Sequence, residues 1–316
     1  MHPEIFISEE TFAAVIPLYN RRDLIGETLS SLKHQGRAFD ELIVVDDGST
    51  DDSAEIVRRD HPDVTLIQTP NAGVQAARNR GVEEAKSKWI VFCDSDDLLE
   101  QNYLSLVEGA LKADQTIEAL YVNFRTFGPR SASQSSKFSE APNGYWPQPS
   151  CPATDLRMCP DLEQLIQFQP FFQTGLVVRR DVFIDCGQYD CRLKGWRSED
   201  LEFTLRLMHR FRVKALDPVV ARVRKHGGND SAVFHHVLNG EADVLEFFAH
   251  EHLAEPLKER FIRAAAKRRW EALDHSVGQR DWKCASNCVA RLGLPAPSIK
   301  LLMKYFLVRV GAARFI

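Results

Sequence analysis

A chain of 316 residues with 44% apolar and 27% charged residues has the composition of a globular protein able to bury a substantial core, either one large domain with an appendage or two moderate ones. Forty basic against forty-four acidic residues leave a net charge of -4, so no broad positive field recommends nucleic acid as the main partner. No stretch reaches the ~20 apolar residues of a membrane span, and the opening "MHPEIFISEE" lacks a basic segment followed by an apolar run, so a cytoplasmic location is expected.

The first half alternates between two apolar periodicities, the mark of strands and helices laid down in turn. "FAAVIPLY" (12–19) reads as a buried strand. "RRDLIGETLSSLKHQ" reads as a helix burying Leu24, Ile25, Thr28, Leu29 and Leu32, with Asn20 and Asp23 at cap-like spacing. "ELIVVDDGSTDDSAEIVRR" follows as a strand ending at Val45, an acidic glycine turn and a helix. "VTLIQT" (64–69) is a strand, "GVQAARNRGVEEAK" places Val74, Ala77, Val82 and Ala85 near one helical face, and "WIVFC" (89–93) is again a strand. Strands joined by helices imply a mainly parallel sheet covered on both faces. Ligands of such sheets gather at the carboxyl ends of strands, where Pro17, Asp46, Asp47 and Asp94 to Asp97 all fall.

After "ALYVNFRTF" (119–127), residues 128–152 are rich in Ser, Pro and Gly and read as a long loop, with a lid as one use for it. "FFQTGLVVRRDVFIDCGQYD" reads as a strand and a short helix stopped at Gly187. "SEDLEFTLRLMHRF" starts a helix with Ser198 as cap and Leu201, Leu205 and Met208 on one face. Beyond about residue 230 the pattern is helical throughout. The expected domains are therefore 1–230, which carries the strand-end residues, and a helical region 231–316, open to acceptor, membrane-surface or oligomer contacts. Seven cysteines, an odd number without a CxxC pair, argue against a disulfide framework. Cys284 and Cys288 lie one helical turn apart but have no partner nearby in sequence, so they read as small buried side chains rather than metal ligands.

The stretch "VFCDSDDLLE" (91–100) gathers Asp94, Asp96 and Asp97 at a strand end, where mutual repulsion calls for a shared cation. Oxygen-rich ligands suit Mg2+ or Mn2+, with oxygens of a nucleoside diphosphate completing the shell; an acidic turn capping the next helix is the structural alternative. In "VVDDGSTD" a carboxylate can accept from a nucleobase N–H while the glycine permits the tight turn, or the turn simply leads into a capped helix. "NAGVQAARN" opens on Asn71, a candidate substrate contact, and carries Arg78, which either reaches a phosphate or stands in solvent.

Taken in order and spacing, "VIPLYN", "IVVDDGSTDDS", "NAGVQAARNRG", "WIVFCDSDD", "GQYD" and "WRSEDLEFTLRL" resemble the family 2 glycosyltransferases, inverting enzymes of the GT-A fold that use nucleotide sugars; the match covers roughly residues 12–231. The resemblance implies an α/β fold with a mainly parallel, Rossmann-like sheet flanked by helices and followed by a helical C-terminal appendage. It implies that Pro17 and Tyr19 line the nucleobase pocket and that Asp47 holds uracil. It further implies that Asp96 and Asp97 serve ribose and metal with Asp94 preceding them, that Asp200 is the catalytic base, and that His226 in "HGGNDS" approaches the metal or diphosphate. Ser87 replaces a usual glycine, and "QTG" (173–175) is not a common acceptor-side triplet; neither is expected to touch the chemistry.

The implied mechanism is physically coherent. A sugar hydroxyl is too weakly acidic to attack an anomeric carbon unaided, so a carboxylate, Asp200, takes its proton as the bond forms. Charge gathering on the departing diphosphate is met by the divalent ion, with Lys194 and Arg197 as helpers and Glu199 beside the base as a further substrate contact. An N-terminal helical acid is the structural reading of Asp200, and a hydrogen-bonded structural histidine that of His226. The tail "SIKLLMKYFLVRVGAARFI" fits peripheral contact with the inner face of a membrane, a buried helix or a homo-oligomer contact. Rival functions are a glycoside hydrolase, a sugar nucleotidyltransferase, or a nucleotide-sugar-binding protein without turnover. The expected partners are a nucleotide sugar, with UDP favoured by the resemblance, and a saccharide or lipid-linked saccharide acceptor of cell-surface polysaccharide synthesis.

Overall fold

The computed structural model describes residues 10–131, 134–147, 155–227 and 233–292. β1 (Phe12–Leu18) is buried at every position, as an apolar strand covered on both faces must be. α1 (Ile25–Lys33) buries Ile25, Thr28, Leu29 and Leu32 of the expected stripe, while Leu24, also expected in it, precedes the helix and is only half-buried. Its caps differ from expectation: no side chain caps α1. Asn20 instead sits in the left-handed region (φ 50°), and its side-chain oxygen accepts the Thr50 N–H at 2.8 Å.

β2 (Glu41–Asp46), α2 (Ser53–Asp60), β3 (Thr65–Gln68), α3 (Val74–Glu84) and β4 (Trp89–Phe92) complete the alternation. α3 packs on β1 at Gly81, where a Cβ would lie 2.4 Å from Val15 Cγ1; only glycine allows the helix so close to the sheet. β5 (Leu98–Leu99), α4 (Tyr103–Ala113), β6 (Ala119–Phe127), β7 (Leu156–Met158), α5 (Leu162–Leu165), β8 (Val177–Arg179), α6 (Arg180–Asp185), α7 (Glu199–Arg210) and β9 (Val213–Arg224) follow.

The strand order is β3-β2-β1-β4-β8-β6-β9-β5, with β7 paired to β9. β1 runs parallel to β2 and β4, and β2 to β3. β8 is antiparallel to β4 and β6, β6 and β9 are parallel, and β5 and β7 run antiparallel to β9. The parallel block is thus the part built by strand–helix alternation, and the remainder is mixed. The chain steps outward from β1 through β2 to β3, then returns to lay β4 on the other side of β1. That reversal opens a crevice at the carboxyl ends of β1 and β4.

The Ser- and Pro-rich stretch is less loop-like than its composition suggests. Phe138 and Tyr145 are buried, the Phe138 and Trp146 rings lie 4.6 Å apart, and Asn123 on β6 accepts the Phe138 N–H at 3.0 Å. Its aromatic residues, spaced among the small ones, hold residues 134–147 against the core.

The chain forms two compact units, Met1–Lys194 with Leu207–His226, and Gly195–Arg206 with Gly227–Ile316. Where chain order alone draws one boundary at 230, packing also assigns residues 195–206 to the second unit. There the Trp196 ring lies 5.9 Å from that of Phe247, and Arg197 backs onto Gly240 too closely for any Cβ at that glycine. The rest of the second unit is α8 (Phe234–His252), α9 (Leu257–Gly278) and α10 (Trp282–Arg291), with Leu238, Leu273, Val277, Ala285 and Val289 among its core residues. On α7, Leu201 and Leu205 are buried as expected and Met208 half-buried, but Glu202 and Arg206 are buried too. Their i, i+4 spacing lets them pair bidentately at 2.6 and 2.7 Å, which makes burial of both charges tolerable. Among the described residues no helix is long and apolar enough to cross a membrane; the tail 298–316 lies outside them.

Candidate functional site

Three strand ends contribute to the crevice: Tyr19 follows β1, Asp46 ends β2 with Asp47 next to it, and Asp94 to Asp97 follow β4. The Leu18 carbonyl accepts from the Asp47 N–H at 2.8 Å and the Val15 carbonyl from the Cys93 N–H at 3.2 Å. Alternation along β1 therefore turns the missing N–H of Pro17 toward the β4 side, where pairing has already ended at Val15 and Phe92. Proline costs no ladder bond there. Tyr19, just beyond, is 45% exposed and offers an aromatic face at this strand end.

At the end of β2, Asp46 accepts from the Ser49 N–H at 3.0 Å and the Gln68 side chain at 3.2 Å. Asp47 is buried, and its two oxygens accept the Ala72 and Gly73 N–H groups at 2.7 and 2.8 Å, while Asn71 donates to the Asp47 carbonyl at 3.0 Å. Gly48 holds the turn at φ 74°, and a Cβ on it would meet the Asn71 nitrogen at 2.9 Å. Lys194 joins the same loop by donating to the Asn71 carbonyl at 3.0 Å. Asp47 is thus first a clamp between the β2 turn and the loop before α3, leaving its second lone pairs for a ligand. Asp47→Asn sets an amide donor against a backbone donor. It is expected to lower stability by about 1–3 kcal/mol, read as a shifted denaturation midpoint; an unchanged midpoint would refute the clamp.

The aspartates after β4 have separate partners. Asp94 accepts from Arg78 at 2.7 Å; Arg78 is 4% exposed, with its guanidinium 5.2 Å from the centroid of the Tyr189 ring, so it is not a solvent-facing arginine. Asp96 Oδ2 accepts from Arg21 Nε at 3.1 Å and lies 3.0 Å from His226 Nε2. Asp97 accepts the Thr174 hydroxyl at 2.6 Å and the Arg224 N–H at 2.7 Å. Burial pushes the Asp97 carboxyl well above the usual carboxylate range, the charges of Asp94 and Asp96 add to that, and the two hydrogen bonds oppose it.

Three expectations change here. Arg21 and Arg78 already neutralise Asp96 and Asp94, so crowding alone does not require a divalent ion. "QTG" does touch the cluster: Thr174 Oγ1 accepts the Asp94 N–H at 3.1 Å while donating to Asp97, which ties the acidic turn together. Asp97, expected among the metal ligands, has both oxygens engaged by the fold, whereas Ser87 bonds to Glu41. Arg21, Thr174 and Arg224 escaped the sequence reading. Arg21 carried a weak signal, a basic residue shortly after a strand end; Thr174 lay in the unusual "QTG" triplet without its role being read, and Arg224 carried none.

Two donors of the kind a divalent ion takes meet at this strand end. A carboxylate oxygen of Asp96 and an imidazole nitrogen of His226 converge with side chains 11% and 20% exposed, and Asp94 stands two residues away at 23%. His226 ends the first unit, and residues 228–231 of "HGGNDS" lie outside the described residues. In the second unit, Glu199 and Asp200 open α7, both half-buried, and Asp200 Oδ1 accepts the Leu201 N–H at 2.9 Å. Ser198 is left-handed (φ 62°) and contributes its carbonyl to Leu201 N–H at 3.0 Å. Arg197 lies in the same segment.

A family model described as "Glycosyl transferase family 2" matches residues 13–171, just over half of the chain. An uncharacterized glycosyltransferase of Escherichia coli (strain K12), YibD, is 39% identical over 111 residues, 34% of this chain and 32% of that protein. Chondroitin synthase of Pasteurella multocida (strain Pm70) is 31% identical over 137 residues, 42% of this chain and 14% of that protein. The chain matches about a third or less of the length of these curated relatives. Two solved structures share the fold. S. aureus TarS 1-349 in complex with UDP-GlcNAc has a TM-score of 0.66 at 20% identity, covering 91% of this chain and 82% of that one. The mannosyltransferase PcManGT from Pyrobaculum calidifontis, in complex with GDP-Man and Mn2+, has a TM-score of 0.57 at 19% identity, covering 97% and 81%. The expected GT-A architecture, a sheet flanked by helices with further helices at the C-terminus, is the one found.

Proposed function

The chain belongs to glycosyl transferase family 2, and from that premise we propose that it moves a sugar from a nucleotide sugar, most readily a UDP-sugar, to a hydroxyl of a saccharide or lipid-linked saccharide, inverting the anomeric configuration. The observation that carries this reading is Asp96 at the end of β4, with His226 at 3.0 Å and Arg21 at 3.1 Å from the same carboxylate oxygen. Carboxylate, imidazole and guanidinium gather at a switch point, where an anionic ligand and its cation are held in such folds. TarS with UDP-GlcNAc and PcManGT with GDP-Man and Mn2+ support the class of donor.

In this reading Pro17 and Tyr19 receive the nucleobase, Asp47 accepts from its N–H, and Asn71 and Arg78 flank the sugar and phosphates. Asp94, Asp96 and His226 would hold Mn2+ or Mg2+, and Asp97 keeps the acidic turn in shape through Thr174 and Arg224. When bound, the ion stabilises charge on the departing diphosphate. Lys194 and Arg197 add hydrogen bonds to that charge. Glu199 orients the acceptor, and Asp200 takes the proton from its hydroxyl as the bond forms. Attack on the face opposite the leaving group inverts the anomeric carbon. The setting is cell-surface polysaccharide synthesis in the cytoplasm, with peripheral membrane or homo-oligomer contacts assigned to the C-terminal region.

A ligand that binds only the folded form raises its stability, by about 2.7 kcal/mol at a hundred times its dissociation constant. A thermal-denaturation panel of nucleotides is therefore expected to show a higher Tm with UDP plus Mn2+ than with either alone. No shift with any nucleoside diphosphate, with or without metal, would overturn the proposal.

A further inference from the structure

We propose that the second unit carries a zinc site formed by His235, His236, Asp281 and Cys284. One ligand atom from each of these side chains lies within 4.8 Å of all the others, and among the described residues no other group of three or more His, Cys, Asp or Glu side chains converges in this way. The two histidines stand in the first turn of α8, Asp281 precedes α10, and Cys284 is on its first turn. The chain thus brings two histidines to Asp281 and Cys284 from 45 to 49 positions away, giving Cys284 imidazole partners its own neighbourhood in sequence lacks.

Two features go beyond ordinary helix capping. Asp281 does cap α10, with Oδ1 accepting the Cys284 N–H at 3.1 Å, but its other oxygen is left for the histidines: Oδ2 lies 3.0 Å from His235 Nε2 and 2.6 Å from His236 Nε2. Adjacent residues on a helix point about 100° apart, yet both imidazoles aim Nε2 at a single oxygen, their rings T-shaped with centroids 4.6 Å apart. The Cys284 residue is 8% exposed, the His235 side chain 8%, and those of Asp281 and His236 27% and 36%. The site is therefore lined by the unit's core on one side and reachable from solvent on the other.

Two imidazoles, a carboxylate and a sulfur form a four-ligand set for a tetrahedral, borderline-soft ion. Zinc bonds of roughly 2.0–2.3 Å put tetrahedral ligand atoms about 3.3–3.8 Å apart, so the His–Asp separations need open by only about 1 Å or less. Binding displaces the thiol proton to solvent, and each neutral imidazole, which donates its Nε2–H to Asp281 in the empty site, takes the Nδ1–H tautomer so that Nε2 presents its lone pair to the ion. Four protein ligands leave no open position, so the ion is structural: it joins the start of α8 to the α9–α10 corner.

The proposal does not depend on the donor-site reading, and its test separates the two. The full-length protein, purified without chelator, is assayed for zinc and, after exchange, for Co2+ absorption. About one zinc per chain is expected, with a thiolate-to-cobalt charge-transfer band that an all-oxygen and imidazole site cannot produce. Cys284→Ser should abolish the band. Asp281→Asn, which retains a capping oxygen, should reduce bound zinc at least about 10-fold, and Asp96→Asn should leave zinc content unchanged. His236→Gln, at the most exposed ligand, serves if Cys284→Ser fails to fold, with circular dichroism as the control. Wild-type protein that takes up no zinc or cobalt, or zinc content undiminished in the folded variants, overturns the site and leaves a hydrogen-bonded helix cap.

Discussion

Asp200→Asn is expected to give a folded protein that still takes up the nucleotide sugar but transfers it roughly 10²- to 10⁴-fold more slowly, the range a positioned general base supplies. The substitution suits the test because it keeps two local hydrogen bonds. Asp200 accepts the Leu201 N–H at 2.9 Å, which the Asn side-chain oxygen reproduces, and its carbonyl accepts the Thr204 hydroxyl at 2.9 Å, which the change leaves alone. What Asn cannot do is take a proton. Asp200 therefore predicts a loss in kcat with the donor KM nearly unchanged. Glu199→Gln, one residue earlier, should raise the acceptor KM with kcat retained, since Glu199 is proposed to orient rather than to deprotonate. Were Asp200→Asn to keep a kcat within a few-fold of wild type, the base would have to be sought elsewhere. The macrodipole alone is no alternative account: an acid in a first helical turn contributes only about 0.3–1 kcal/mol to stability and nothing specific to the rate.

Asp96→Asn should remove the metal-assisted part of nucleotide binding and leave the rest. Titration calorimetry is expected to show Mn2+ strengthening UDP binding in the wild type and failing to do so in the variant. The loss should exceed the roughly 10- to 100-fold that follows removal of an outer-shell partner. Stability should change little. The Arg21 side chain is 28% exposed and can rehydrate, and a partly exposed ion pair of this kind contributes about 1 kcal/mol or less. The arginines sharpen the prediction. Because Arg21 and Arg78 already compensate Asp96 and Asp94, the apo site is electrostatically comfortable, and the ion is expected to be held firmly only when phosphate oxygens arrive with it. Undiminished Mn2+ assistance in Asp96→Asn would remove this carboxylate from the ion's shell.

Much of the fold was legible along the chain. The apolar periods marked β1 through β4 and the helices between them. Four of the five residues expected along α1, Ile25, Thr28, Leu29 and Leu32, are buried, and the helical region beyond residue 230 is helical where described. Such features are readable because a side chain's burial within one element follows from its own repeat, 2.0 or 3.6 residues, inside a window of a dozen positions. The acidic turns were readable for the same reason: each sits where an apolar run stops.

Only the tertiary structure decided who faces whom. Arg21 reaches Asp96 across 75 residues, Thr174 reaches Asp97 across 77, and Arg224 reaches it across 127. The same is true of His235 and Asp281, 46 residues apart, and of the assignment of residues 195–206 to the second unit. No local period encodes these meetings, because they depend on the order in which strands and helices are stacked. By itself the sequence determined which residues lie at strand ends and which chemistry they can perform. Strand order and helix packing determined which charges are compensated, which carboxylate serves the fold, and where a cysteine finds its partners.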